Sequence, residues 1–147
     1  MTKEEQKSLL LKDLSRRLPY GAKVVVPSLS DKVYTLKGIR TEDNMVSCEL
    51  ECKGIVFMPI ECVKPCLFPL SSIDERLIYA FYCQFVENDI SFDDFLSDYW
   101  NTNSFHKVLT SIDDCRLVVD FFNINHCDYN NLIEKGLSND ATNLNIY

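Results

Sequence analysis

MPIECVKPCLFPLSS, residues 58–72, holds three of the five prolines of the chain, Pro59, Pro65 and Pro69, and its reading decides the fold. Each proline fixes φ and removes an N–H donor, which speaks against a central strand or a helix interior here. The stretch is expected to be an extended connector along the surface of a small β unit. Upstream the sequence reads as short strands, and downstream as helices.

Upstream, Thr2-Lys3-Glu4-Glu5 has the T-x-x-E form of a capping box, and Leu10, Leu14 and Leu18, with Leu11, follow at helical spacing. Pro19 and Gly21 end that helix. Lys3, Lys7, Lys12, Arg16 and Arg17 lie off the leucine stripe and read as a solvated face. Strands are expected at 22–26 and 32–40, with a polar turn at 41–44. Val46, Cys48, Leu50 and Cys52 then alternate with Ser47, Glu49 and Glu51, the pattern of a half-buried strand. Lys53-Gly54 leads into a partner strand at 55–58, making a hairpin. With a fifth strand at 63–67, this is the count of a small SH3-like antiparallel barrel, with the first helix over one open end.

Downstream the period changes. Ser72-Ile73-Asp74-Glu75 reads as a second capping box, and Ile73, Leu77, Ala80, Phe81 and Phe85 follow at helical spacing. Ser91 is expected to cap a short helix bearing Phe92, Phe95, Leu96, Tyr99 and Trp100, and Ser111 another bearing Cys115, Val118, Val119 and Phe122. Residues 104–110 fit strand or helix. A last helix is expected over 128–135, capped by Asp128 and closed by Gly136, before a polar, fraying tail at 138–147.

A chain of 147 residues with 46 % apolar content has enough apolar material for a core without a metal or disulfide. The N-terminus MTKEEQKSLLLKDL interleaves charges with leucines and lacks the apolar run of a signal peptide. A cytoplasmic protein with no membrane span is therefore expected, and its seven cysteines are expected as reduced, small hydrophobes. The net charge of −7 is unevenly spread. Residues 1–70 carry 11 Lys/Arg against 9 Asp/Glu, a net +2, whereas residues 71–147 carry 4 against 13, a net −9. An acidic half repels a phosphate backbone and could attract a basic protein surface, the plainer alternative being a solvated acidic face that keeps the protein soluble.

Three segments carry a resemblance: EEQKSLLLKDLSRRLPYGAKV at 4–24, VKPCLFPLSS at 63–72 and DFFNINHCDYNNLIEKGL at 120–137. Together they resemble a family of small uncharacterised proteins of gut Bacteroides genomes and their phages, whose members read KPYLRPMSS near the middle and HFDYRGLIEKGLA near the end. The resemblance implies a cytoplasmic protein of bacterial or phage origin and carries over no activity. Cys66 stands here for the family's tyrosine, Phe68 for its arginine and Asn130-Asn131 for its Arg-Gly pair.

Cys48-x3-Cys52 and Cys62-x3-Cys66 have the residue type of a zinc site, but a cysteine pair on one apolar strand face reads as core, so no metal or other cofactor is expected. His126-Cys127-Asp128 holds the residue types of an activated thiol, yet adjacent side chains rarely adopt that geometry. Glycines at 21, 38, 54 and 136 make no phosphate loop. The expected fold is therefore α+β: 1–70 an N-terminal helix plus small SH3-like barrel, 71–137 an all-helical acidic half packed on it, and 138–147 a flexible tail. The expected function is a non-enzymatic protein-interaction module, an accessory of a phage or mobile element, binding a protein through Asp93, Asp94, Tyr99, Trp100, Asp113 and Asp114. The alternative is a nucleic-acid-binding barrel using Lys23, Lys32, Lys37 and Arg40; a small hydrolase or transferase ranks third.

Overall fold

The computed structural model describes residues 1–42, 45–52, 54–85, 89–97 and 115–147. Helix α1 (Lys3–Arg17) starts on its capping box: Thr2 Oγ1 accepts the Glu5 N–H, and the Thr2 N–H donates to Glu5 Oε2. Leu10 and Leu14 bury its apolar stripe. Pro19 opens a tight turn, Leu18–Tyr20, and Gly21 at φ +70° swings the chain into the left-handed region that glycine enters without steric cost.

Strands β1 (Lys23–Val26), β2 (Ser30–Glu42), β3 (Met45–Cys52) and β4 (Gly54–Pro59) follow as an antiparallel meander. On β3, Cys48 and Leu50 face the core, while the outward Glu49 and Glu51 meet Arg40 and Lys37. The core beneath joins Leu10 and Leu14 of α1 to Val24, Val26, Tyr34, Leu36 and Ile60. A fully buried aliphatic side chain is worth about 1.5–3 kcal/mol and an exposed ion pair about 0–1 kcal/mol, so burial holds this sheet.

The expected SH3-like barrel does not close. After β4, Pro59 and the turn Ile60–Cys62 carry the chain across to the far side of β1, where β5 (Lys64–Leu67) pairs. Among the described residues the result is an open six-stranded sheet in the order β4-β3-β2-β1-β5-β6. The proline-rich stretch therefore does supply an interior strand. Its prolines are tolerated because β5 is staggered: Lys64 and Pro65 pair with β1, whereas Cys66 and Leu67 pair with β6.

The C-terminal half is not all-helical either. Helices α2 (Glu75–Phe85), α3 (Phe92–Phe95) and α4 (Cys115–Ile124) are followed by turns and by β6 (Asn139–Asp140), parallel to β5. Asp74, rather than Ser72, caps α2 by accepting the Leu77 N–H at 2.9 Å. Residues 128–135 do not form the expected helix. His126 and Asn131 take φ of 53° and 54°, and the Asp128 carboxylate accepts the Leu132 and Ile133 N–H groups, each at 2.8 Å. Residues 138–147, expected to fray, are tied down. Ala141 is buried and donates its N–H to Leu67 O, and Tyr147 Oη accepts the Lys23 N–H while donating to Cys66 O.

Arg17 is the largest departure on α1. Expected on a solvated face, it is fully buried with Asp13 and reaches across to Phe122 O and Cys127 O. Asn130 donates to the same Asp13 carboxylate. Beside this hub, Ile78, Phe81, Tyr82, Phe95, Phe121 and Phe122 form a second apolar cluster. Among the described residues, no helix is long and apolar enough to cross a membrane.

Candidate protein-interaction edge

Strand β4 is the outermost strand on one side of the sheet. From Gly54 to Pro59 it contains no charged residue. Ile55 is 61 % exposed and Phe57 47 %; these two stand opposite Glu51 and Glu49 on the outer face. Val56 stands opposite the fully buried Leu50 and is still 36 % exposed, because among the described residues no strand continues the sheet on its far side. Both faces of the pleat are thus apolar and wet. Proteins usually blunt such an edge with lysines, a bulge or a covering segment, since its free N–H and C=O groups template further pairing.

The surroundings extend the apolar surface. Leu29, 51 % exposed, stands with Ser30, Lys32 and Tyr34 across a groove of about 470 Å3 from Gly54, Ile55 and Val56. The Arg40 guanidinium lies 4.6 Å from the centre of the Phe57 ring while also pairing with Glu49 at 3.3 Å. Large exposed side chains concentrated in this way mark an interaction surface more often than a solvated one.

Three of the four residues expected to bind nucleic acid have side-chain partners within the sheet. Lys37 pairs with Glu51 at 2.8 Å, Arg40 with Glu49, and Lys23 Nζ donates to Thr35 Oγ1 at 2.9 Å. Lys32 lines the groove beside Gly54, Ile55 and Val56. Of the residues expected to meet a protein, Asp93 and Asp94 sit in the first turn of α3, where Ser91 Oγ accepts the Asp94 N–H at 3.1 Å and donates to its carboxylate at 2.6 Å. They serve the cap and the helix dipole. Tyr99, Trp100, Asp113 and Asp114 lie outside the described residues, as do 104–110 and Ser111.

The remaining candidate groups are engaged in structure. Burial pushes the Cys48 thiol up to about 12 and those of Cys66 and Cys127 up to about 11, which leaves them protonated and weakly nucleophilic. His126 stacks on Tyr147, ring centres 3.7 Å apart, and burial, with Arg17 next, pushes its imidazole down to about 4. Asp128 holds backbone amides, so His126, Cys127 and Asp128 form no relay. Among the described residues, no three His, Cys, Asp or Glu side chains converge on a metal position.

A sequence signal for β4 exists. Residues 55–58 lack the charged alternation that β3 shows, so neither of their faces reads as a solvent face. What it does not say is whether another strand covers them. Comparison of the chain with protein-family models, curated proteins and solved structures finds no match.

Proposed function

We propose that the chain is a non-enzymatic protein-interaction module whose binding surface is the β4 edge, used by strand addition. One observation carries this reading: six uncharged edge residues leave Ile55, Val56 and Phe57 exposed together. In strand addition the main-chain groups of the edge supply affinity and the alternate side chains supply register. Here Ile55 and Phe57 would meet one face of the added strand, and Val56 with the Leu29 groove the other. The resemblance over residues 4–24, 63–72 and 120–137 makes an accessory role in a phage or mobile element the fitting biological setting. Nucleic-acid binding gains no support, because Lys37 and Arg40 already hold glutamates.

Photo-cross-linking in cell extract tests the reading, with a benzophenone amino acid placed at Phe57 or, as the control, at Asp93. A discrete adduct from position 57 and none from position 93 is expected. Equal labelling from both positions, or none from 57, would remove β4 as the binding surface.

A further inference from the structure

Resting on that reading of β4, we infer that its occupant is a second copy of this chain, paired antiparallel about a two-fold axis. Two such edges join two six-stranded sheets into one. A two-fold contact must be self-complementary, since each residue meets its own counterpart's neighbourhood. The strand from Gly54 to Pro59 meets that condition, because pairing it with itself opposes only apolar side chains and no like charges. The outward carboxylates next to it, Glu49 and Glu51, are matched within their own copy by Arg40 and Lys37, so neither carries an uncompensated charge into the junction.

The charge layout selects the same geometry. Residues 1–70, which include β4, sum to +2, and residues 71–147 sum to −9. Strand β6, from the acidic half, lies at the opposite edge of the sheet. Joining two copies at β4 brings uncharged strands together and leaves β6, with Asp140, at the two outer ends. Joining them at β6 would bring the two Asp140 carboxylates to one junction. A basic foreign polypeptide gains nothing from the uncharged β4, since the excess negative charge of the chain is carried by residues 71–147.

Sedimentation equilibrium of the full chain in reducing buffer, up to about 1 mM to capture weak association, is the test. The expected result is a mass rising to twice 17.0 kDa and stopping there. Phe57→Lys should hold the mass at 17.0 kDa, and Ile55→Thr with Phe57→Thr should do the same while keeping strand-forming side chains, which guards against misfolding of the lysine variant. Asp93→Asn with Asp94→Asn should still double. A wild-type monomer throughout, a doubled mass indifferent to both β4 variants, or growth without limit would each overturn the paired edge. If the wild type is monomeric yet position 57 cross-links to a different protein, only the second copy falls and β4 stands as the docking strand.

Discussion

At one edge of the sheet β6 contributes two residues, one of them Asp140, whose carboxylate is held below its usual range by the Thr142 hydroxyl and N–H. At the other edge β4 contributes six residues and no charge. The β6 side is stitched by polar contacts from distant parts of the chain. Phe68 exchanges backbone hydrogen bonds with His126 and Asp128, Tyr147 links Lys23 to Cys66, and Arg17 ties α1 to Phe122 and Cys127. Nothing comparable covers β4 among the described residues. The difference teaches that strand pairing is closed by specific, long-range hydrogen bonds at the edge the fold needs. Where those are lacking, the same backbone chemistry is left available to another chain.

The comparison breaks most severely at Arg17. Arg17→Ala would leave the buried Asp13 carboxylate without its guanidinium, and orphan Phe122 O and Cys127 O as well. A loss of about 3–5 kcal/mol is expected, because an unpaired buried charge costs more than the pair contributes. Urea denaturation of the purified chain reads it as a lower midpoint. An unchanged midpoint would mean that the stitched edge is not what holds α1 to the C-terminal half.

A second break uses pH. In the fold the His126 imidazole is pushed down to about 4, chiefly by burial, whereas in the unfolded chain it titrates near its ordinary 6.5. Between those values the unfolded chain takes up a proton that the folded chain refuses. Stability is therefore full above pH 6.5 and declines as pH falls through the window toward 4. His126→Asn, a residue that tolerates the φ of 53°, should lose less stability between pH 7 and pH 5 than the wild type does. Parallel declines in the two proteins would show that the stack on Tyr147 leaves the imidazole free to charge.

How much of this was legible from residues alone follows the range of the interactions. The capping box at Thr2 and Glu5, the Leu10–Leu14 stripe and the alternation of Cys48 and Leu50 against Glu49 are local, and the structure keeps all three. The burial of Arg17 is not legible on α1, because its partners lie 105 and 110 residues away and no helical periodicity contains them. Asp128 was legible as a capping carboxylate but not as the anchor of a turn, since Asn131 at positive φ stops the helix. In the proline-rich stretch the expected fifth strand at 63–67 is present as Lys64–Leu67, but as an interior strand rather than part of a surface connector. Its prolines do exclude a strand bonded on both sides at every residue, but a staggered strand escapes that limit. The β4 edge was written in the sequence as missing charge. Its meaning needed the strand order, which sends β5 to the other side of β1.

A smaller effect is expected at Tyr147. Tyr147→Phe keeps the ring against His126 and removes only the hydroxyl that accepts the Lys23 N–H and donates to Cys66 O, each at 2.9 Å. A cost of about 1 kcal/mol is expected, the net worth of an ordinary hydrogen bond. Amide exchange at Lys23 should quicken while that along β3 and β4 stays as it was. Equal acceleration across the sheet would mean that the two edges are one cooperative unit rather than separately secured.

The smallest effect belongs to β4 itself. Phe57→Lys removes an aromatic ring that is already 47 % exposed and that touches Arg40 on the outer face, so it opens no cavity in the core. A loss of about 0.5 kcal/mol in the stability of the separated chain is expected, the worth of the exposed cation–π contact with Arg40. Measured at protein concentrations too low for association, the unfolding midpoints of wild type and variant should differ by no more than that, and the difference should grow as concentration rises. A loss of 2 kcal/mol or more, roughly the worth of a buried large side chain, would place Phe57 inside the fold's own packing. The bare edge would then be a structural element like β6, and its exposure would no longer point to another chain.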